Sequence, residues 1–470
     1  QAEDGIRDFC LSRGLGDVYK RQHIRKGDNQ YFDEDDFLTI INFYLESDKM
    51  KWALKACDLG LMQYEYSTDL ISDKAEILAR TGKLSEAISC IDAALIYAPG
   101  DVDLLMQKGS LYTISGEYLS SIACFKKILP TAEDRDEILY QIGLAYQGLE
   151  DFEKAIETYK EAVQFNLNNE NVLYELTYCF EIVGALEKSI PYYKRFIDAD
   201  PYSEYAWYNM GIVYNKLKKF DKAMDAYEFA IAIDETFSSA HFNMGNTYMN
   251  LEKYDSAIAS YLLTLEYEGP SPDLYCHIGA AYEKMGQYEI GLRYYTKASK
   301  IDQLYHQAWF GVGTCFAFKE NWLEATHFFK KAIKIDPLNT SYLKSLAESE
   351  YSLGNSVSSI EIYEQLSQLE PVTAGVWLDW SHIYYAQGDY QKALNIIEMG
   401  LSDTPDRSDY LYRKSVYLLA YGKYKEAMVI LEQALILNYE GHVQVYNFFE
   451  DLTIQKALFK IIDKYRKDDQ

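Results

Sequence analysis

The sequence contains few of the features that mark metal-binding, disulfide-bonded or membrane-spanning proteins. Its seven cysteines include no C-x-x-C pair and no close Cys/His cluster, which argues against a zinc site. An odd number of scattered cysteines is typical of buried free thiols, and free thiols suit a reducing compartment. The chain also lacks any run of about 18 apolar residues, so we expect no membrane-spanning helix.

Sequence motifs of catalysis are equally absent. The chain has no P-loop, no G-x-S-x-G turn, no H-E-x-x-H pair and no glycine fingerprint of a dinucleotide-binding fold. The seven histidines are dispersed along the chain, whereas catalysis needs a convergent set of groups. We therefore expect a protein that is not an enzyme and that holds no metal ion and no cofactor.

Acidic residues strongly outnumber basic ones. The 72 Asp and Glu residues against 46 Lys and Arg give a formal net charge of −26. Such a surface repels phosphate backbones and anionic lipid, so nucleic acid and membrane surfaces are not expected as partners. A protein or peptide partner that is neutral or basic overall fits this charge better.

The chain repeats itself every 34 residues. The stretch AWYNMGIVY (206–214) returns 34 residues later as AHFNMGNTY (240–248). The same register extends in both directions without an insertion and defines twelve units over 34–441. The units begin at residues 34, 68, 102, 136, 170, 204, 238, 272, 306, 340, 374 and 408.

Two positions of the unit carry small residues, as two closely crossing helices require. Position 20 is small in every unit: Ala53, Ala87, Ser121, Ala155, Ser189, Ala223, Ala257, Gly291, Ala325, Ser359, Ala393 and Ala427. Position 8 is glycine through the middle of the array: Gly109, Gly143, Gly211, Gly245, Gly279 and Gly313.

Residues typical of helix ends mark the boundaries within each unit. Eight of the residues that precede a unit are good helix N-caps: Asp33, Ser67, Asp101, Asn169, Ser203, Ser271, Asn339 and Thr373. Glycine at position 15 marks a helix end and a turn: Gly82, Gly116, Gly184, Gly286, Gly354, Gly388 and Gly422. Apolar residues recur at helical spacing on both sides of the turn, which predicts a helical hairpin. Pro191 lies inside the predicted second helix of the fifth unit and should kink it.

This pattern resembles the tetratricopeptide repeat. The ninth unit follows the family signature W-x2-L-G-x2-Y, A-x3-F-x2-A and P through Trp309, Gly313, Phe316, Ala325, Phe329, Ala332 and Pro337. The sixth unit does so through Trp207, Met210, Gly211, Tyr214, Ala223, Tyr227 and Ala230. The resemblance implies an all-α fold, an α-solenoid of stacked antiparallel helix pairs that forms a right-handed superhelix.

The two ends of the chain do not follow the repeat. Residues 1–33 form a non-repeat segment, of which 1–22 resemble a sequencing-adapter read-through; an ordinary disordered arm is the other interpretation. At the other end, 442–470 are predicted to form a capping helix and a charged tail. We expect a cytoplasmic location, with the periplasm as the alternative, because a native signal peptide at the start of the chain could have been lost.

The resemblance also implies where a partner would bind. In that family the first helices line a concave groove and present positions 2, 5, 6, 9 and 12 or 13 to a bound peptide. The matching residues here are Tyr140, Tyr174, Tyr178, Tyr205, Tyr208, Asn209, Phe242, Asn243, Asn246, His277 and Phe310. Asparagine amides both donate and accept hydrogen bonds, so they suit a peptide backbone. The alternative is that these residues are common in the repeat for reasons of packing.

The family's clamp for chaperone C-terminal carboxylates is not expected. Asn246 occupies one of its positions, but Phe242, His277, Gln307 and Gly311 replace the others. The sequence therefore predicts a non-enzymatic interaction scaffold that binds a protein or peptide in the groove. Two alternatives stay open: an envelope accessory factor for assembly or glycan handling, and a regulatory sensor that has lost an upstream output domain.

Overall fold

The computed structural model describes residues 31–167, 169–369, 374–448 and 452–465. Within these ranges the chain forms 26 α-helices and three short 3-10 helices, with no β-strand. Between Glu235 and Thr236 the chain divides into two compact halves, called the first and the second unit, whereas each 34-residue stretch of the sequence is called a repeat. The predicted all-α solenoid is confirmed, whereas residues 1–30, which include the suspected read-through, lie outside the described residues.

Each repeat contributes two antiparallel helices, and successive helices pack against each other within each unit. The first unit contains α1 Glu34–Glu46, α2 Met50–Gln63, α3 Thr68–Arg80, α4 Leu84–Leu95, α5 Val102–Ile114, α6 Tyr118–Ile128, α7 Arg135–Gly148, α8 Phe152–Phe165, α9 Glu170–Ile182, α10 Ile190–Ala199, α11 Glu204–Lys216 and α12 Phe220–Ile233.

The second unit continues the same alternation and ends in two additional helices. It contains α13 Ser238–Asn250, α14 Tyr254–Glu268, α15 Pro272–Lys284, α16 Tyr288–Ile301, α17 His306–Phe318, α18 Trp322–Ile335, α19 Thr340–Ser352, α20 Ser356–Ser367, α21 Ala374–Ala386, α22 Tyr390–Asp403, α23 Ser408–Ala420, α24 Tyr424–Leu437, α25 Val443–Tyr446 and α26 Leu452–Ile462.

Side-chain caps start six of the twelve first helices, each at a residue that the sequence predicted. Six of the eight proposed caps accept a hydrogen bond from the backbone N–H three residues later: Ser67, Asp101, Asn169, Ser203, Ser271 and Asn339. Asp33 makes no such bond, and Thr373 lies outside the described residues. Each cap satisfies one backbone donor that the helix itself leaves unpaired.

The turn between the two helices of a repeat has a left-handed residue at position 15. All seven glycines predicted to end the first helix have positive φ, from 67° at Gly184 to 83° at Gly354 and Gly422. The other five repeats adopt the same conformation with ordinary residues: Asp48, Glu150, Lys218, Glu252 and Glu320. A side chain in this conformation costs about 1–2 kcal/mol, so these five turns are strained.

Lys218→Gly is therefore expected to raise the free energy of unfolding by about 1 kcal/mol, because glycine relieves the strain at φ 56°. Urea unfolding followed by circular dichroism measures the change. Lys219→Gly is the matched control, since its φ of −90° suits any residue. An equal gain from both variants would contradict the strain at Lys218.

Aromatic rings at position 24 fill the space that the glycines at position 8 leave open. The ring of Tyr159 lies so close to Gly143 that a Cβ on the glycine would be 2.2 Å from Cε1. Gly211 and Tyr227 repeat this contact at 2.5 Å. The position-8 glycines therefore admit a ring from the second helix of the same repeat. This packing explains part of the count of 44 tyrosines.

The hydroxyl groups of four buried tyrosines at position 24 have different partners. Four examples are Gln147 Nε2 with Tyr159 at 2.9 Å, Thr177 Oγ1 with Tyr193 at 3.1 Å, Asn246 Oδ1 with Tyr261 at 2.7 Å, and Glu283 Oε2 with Tyr295 at 2.8 Å. Buried polar atoms are costly unless they are hydrogen-bonded, so each of these partners stabilises its own hairpin.

Pro191 does not kink a continuous helix. The second element of repeat 5 begins as a 3-10 helix, Leu186–Ser189, and α10 starts only at Ile190. Pro191 thus lies in the first turn of α10, where its missing N–H has no helical acceptor to lose. The expected kink is replaced by a change of helix type ahead of the proline.

The predicted C-terminal capping helix consists of two helices, α25 and α26, on either side of a stretch whose residues 449–451 lie outside the described ones. Leu458 and Ile462 of α26 are buried with Leu431 and Leu435 of α24. They cover the apolar side of the hairpin formed by α23 and α24. Residues 466–470, the predicted charged tail, lie outside the described residues.

Candidate functional site

The predicted binding residues all belong to first helices, at positions 2, 5, 6 and 9 of repeats 4 to 9. Positions 2, 5, 6, 9 and 12 of the first helices are here called the first-helix face. Six predicted residues belong to the first unit and five to the second.

In the first unit, two of the predicted aromatic residues are packing residues as well as surface residues. Tyr140 lies 6.3 Å from the buried ring of Tyr159, and Tyr208 lies 6.1 Å from Tyr227, both in tilted arrangements. Asn209, beside Tyr208, is half-buried. The remaining three have exposed side chains: Tyr174, Tyr178 and Tyr205.

In the second unit, α13 and α15 bring predicted residues together in one cluster. The ring of Phe242 meets His277 edge-on at 4.9 Å, and Tyr261 lies 5.5 Å from the same imidazole. Asn246 accepts the hydroxyl of Tyr261 and lies 3.4 Å from the amide oxygen of Asn243. The amide oxygen of Asn246 therefore already has a protein donor, while its role toward a peptide stays a prediction.

His277 is in its neutral form near neutral pH. Burial lowers the pKa of His277 below its ordinary value, and the charge of Asp273 opposes this only partly. The imidazole Nε2 lies 3.6 Å from Asp273 Oδ1. A neutral ring of this kind offers one donor and one acceptor to a ligand, without a fixed charge.

A first cavity of about 250 Å³ lies between α15 and α17 and joins two predicted residues, His277 and Phe310. Glu283 and Cys276 also line it. Burial raises the pKa of Cys276 to about 12, so its thiol is protonated at neutral pH. Reactive cysteines need a lowered pKa, so this cavity is suited to binding and not to thiol chemistry.

A second cavity of about 430 Å³ lies between α17 and α19. Phe310, Phe318, Trp322 and Phe329 form its aromatic part, and Glu348 of α19 also lines it. Phe310 stacks on Tyr342 at 4.4 Å, which fixes the orientation of that wall. Of these residues the sequence predicted only Phe310.

A third cavity of about 720 Å³ was missed by sequence reasoning altogether. Its lining includes Asp379, His382 and Tyr385 of α21, and Arg413 of α23. The guanidinium of Arg413 lies 4.7 Å from the ring of Phe448. Burial, reinforced by the charge of Arg413, lowers the pKa of His382.

The three cavities share one construction. Each lies between the first helices of consecutive repeats and uses positions 6, 9 and 12 of one helix or their neighbours. The repeat register could have located the third cavity, because Asp379, His382 and Tyr385 occupy these positions in repeat 11 and Arg413 occupies position 6 of repeat 12. The predicted set ended at repeat 9 and so did not include them.

Other kinds of site have no support among the described residues. No group of three or more His, Cys, Asp or Glu residues in the described part of the chain is placed to hold a metal ion. The six described cysteines are free thiols. Over the same residues, no helix has the length and apolar composition needed to cross a membrane.

Solved structures with similar folds share little sequence with this chain. A tetratricopeptide repeat protein from Parabacteroides merdae is 16% identical over 53% of this chain and 98% of its own, with a TM-score of 0.41. The Cut9–Hcn1 hetero-tetramer of APC/C is 14% identical over 84% of this chain and 96% of its own, with a TM-score of 0.39. YrrB, a TPR protein with an unusual peptide-binding site, is 18% identical over 42% of this chain and 97% of its own, with a TM-score of 0.34.

Comparison with curated proteins finds no match, whereas the comparison with family models is informative. Three models described as tetratricopeptide repeat match parts of both units: residues 136–169, 204–237, 238–268, 272–303 and 378–441. Every matched segment consists of the helical hairpins described above. The matches identify tetratricopeptide repeats in both units of the chain.

Proposed function

We propose that this protein–protein interaction scaffold binds an extended or helical segment of a partner protein on the first-helix face of its second unit. The observation that carries the proposal is a set of three cavities, which lie between the first helices of repeats 8 and 9, of repeats 9 and 10, and of repeats 11 and 12. Concave, largely apolar sites with a few polar groups are typical of ligand binding. Cavities repeated along one face suit side chains that recur along a segment.

The chemistry of the cavities supports a peptide over other ligands. Apolar aromatic walls alternate with groups that pair with backbone amides or side chains, such as the neutral imidazole of His277. The net charge of −26 opposes nucleic acid and anionic lipid. The partner in this proposal is therefore a protein that is neutral or basic overall.

Selection from a display library of random dodecapeptides on the full chain tests the proposal. Affinities of the selected fluorescein-labelled peptides are then measured by anisotropy for the wild type and for Ser345→Trp. Ser345 is half-buried in the wall of the second cavity, so an indole there fills the cavity. We expect binding to weaken at least tenfold.

Gln365→Trp is the matched control, because Gln365 is exposed on the second helix of the same repeat. It should leave the affinity within about twofold. Circular dichroism confirms that both variants remain folded. The proposal fails if no peptide is selected, or if Ser345→Trp and Gln365→Trp bind the selected peptides equally well.

A further inference from the structure

The cavity between α17 and α19 combines aromatic walls with a single charged residue. Phe310, Phe318 and Trp322 line it on one side, and Glu348 is the one ionisable group among the described residues that line it. Its volume of about 430 Å³ exceeds that of any single amino-acid side chain. An occupant can therefore enter without displacing the walls.

The walls are fixed before anything binds. Phe310 is held between Tyr342 at 4.4 Å and Phe329 at 5.4 Å. Phe318 stacks on Tyr288 at 4.7 Å, and yet 58% of its surface remains exposed. A large apolar ring that is supported from one side and exposed on the other is placed to contact a ligand.

Glu348 belongs to a group of three charges with one carboxylate in excess. Its carboxylate lies 3.5 Å from the ammonium of Lys344, and the same ammonium lies 3.3 Å from Asp379. Two carboxylates thus share one cation, and the group carries a net charge of −1. The side chain of Glu348 is 51% exposed, so a ligand can reach its carboxylate. A second cation beside Glu348 would remove the imbalance.

We propose that this cavity receives a lysine or arginine side chain of the bound segment, with its aliphatic stem against the phenylalanine rings and its cationic end beside Glu348. Long basic side chains bury their methylene groups on apolar surface while the charge stays at a polar partner. Aromatic faces attract the same cation. The net charge of −26 also favours a basic segment.

This inference rests on the proposed function, and the experiment separates the two. The probe is the fluorescein-labelled dodecapeptide of highest affinity from the display selection on the full chain. It is compared with versions in which each lysine or arginine in turn is replaced by norleucine, which keeps an aliphatic stem and removes the charge. One replacement should weaken binding about tenfold.

Glu348→Gln should weaken binding of the original peptide about tenfold. The same variant should bind the peptide whose critical lysine or arginine is replaced by norleucine with the affinity that the wild type has for that peptide. Phe318→Ser, at an exposed position, should weaken the original peptide several-fold. Glu364→Gln, at an exposed residue of α20, is the matched control and should have no effect.

The outcomes are distinct. If no peptide binds, or the Ser345→Trp variant binds as the wild type does, the proposed function fails. If peptides bind the first-helix face but contain no lysine or arginine, the present inference is overturned and the function stands. Equal affinity of Glu348→Gln and wild type for the basic peptide also overturns it, and would leave the cavity as a purely apolar slot.

Discussion

Gly143→Ala is expected to lower the free energy of unfolding by about 2 kcal/mol. The added Cβ would lie 2.2 Å from Cε1 of Tyr159, a ring that is fully buried and hydrogen-bonded by Gln147. Overpacking of this kind costs about 1–3 kcal/mol or more, and the better helix propensity of alanine offsets only about 1 kcal/mol. Urea unfolding of the full chain, followed by circular dichroism, measures the difference.

Two further variants show whether the ring is responsible. Gly100→Ala is the control, because a Cβ there meets nothing within 4 Å; its effect should stay within about 0.5 kcal/mol. In a Tyr159→Leu background the ring is gone, so Gly143→Ala should become neutral or stabilising. A loss of the same size in both backgrounds would show that the ring contact does not set the cost.

Lys330→Met is expected to cost about 2 kcal/mol at neutral pH. The carboxylate of Glu350 is 4% exposed and accepts hydrogen bonds from Lys330 Nζ at 2.6 Å and Asn355 Nδ2 at 2.8 Å. Removing one partner of a buried charge costs about 3–5 kcal/mol. We expect less here because the lysine side chain is 58% exposed and water screens the pair.

The loss caused by Lys330→Met should disappear in acid. Burial alone would raise the pKa of Glu350, but the hydrogen bonds from Lys330 and Asn355 outweigh it and hold the pKa below its ordinary value. The ionised carboxylate therefore stabilises the fold above the unfolded pKa of about 4.3, and this contribution is lost as the pH falls through the native pKa.

Urea unfolding of wild type and Lys330→Met between about pH 7 and pH 3 tests this dependence, and the gap between the two proteins should narrow toward the acid end. Lys83→Met is the control: its partner Glu86 is 61% exposed, so the change should cost about 0.5 kcal/mol or less. A gap for Lys330→Met that is independent of pH would mean that the lost packing of the lysine stem, and not the charge, explains the effect.

The helical hairpins could be predicted because the same cap, turn and small residues recur every 34 residues. The caps at Ser67 and Ser271 and the turn glycines at Gly82 and Gly286 are local features, decided by residues within one helical turn. The left-handed turns at Lys218 and Glu252 were harder to predict, because Lys and Glu are not typical turn residues. Packing of the hairpins imposes the left-handed conformation there, and in the sequence only the position of these residues in the repeat indicates it.

The candidate site could be predicted only in part. The register placed Phe242 and His277 on neighbouring helices, and the structure brings them into contact. Cavities depend on the volumes of several side chains at once, and the register does not contain that information. Gly311 is an example: with no side chain, it admits the ring of Tyr295, and both residues line the first cavity. Asn246 shows the converse, since a donor from its own repeat already occupies its amide oxygen.

The varied partners of the buried tyrosine hydroxyls bear on how the chain avoids errors while it folds. The contact between a glycine at position 8 and a ring at position 24 recurs in repeats 3, 4, 6, 7, 8 and 9, so by packing alone a first helix of these repeats would accept the second helix of another. The hydroxyl partners differ more: Gln147 and Glu283 lie at position 12 of their repeats, Thr177 at position 8 and Asn246 at position 9. A hairpin assembled from mismatched repeats would bury a hydroxyl without its acceptor or donor, at about 1–3 kcal/mol for each mismatch. Misregistered assembly, a characteristic failure of repeat proteins, is thereby penalised wherever the two repeats place the hydroxyl partner at different positions.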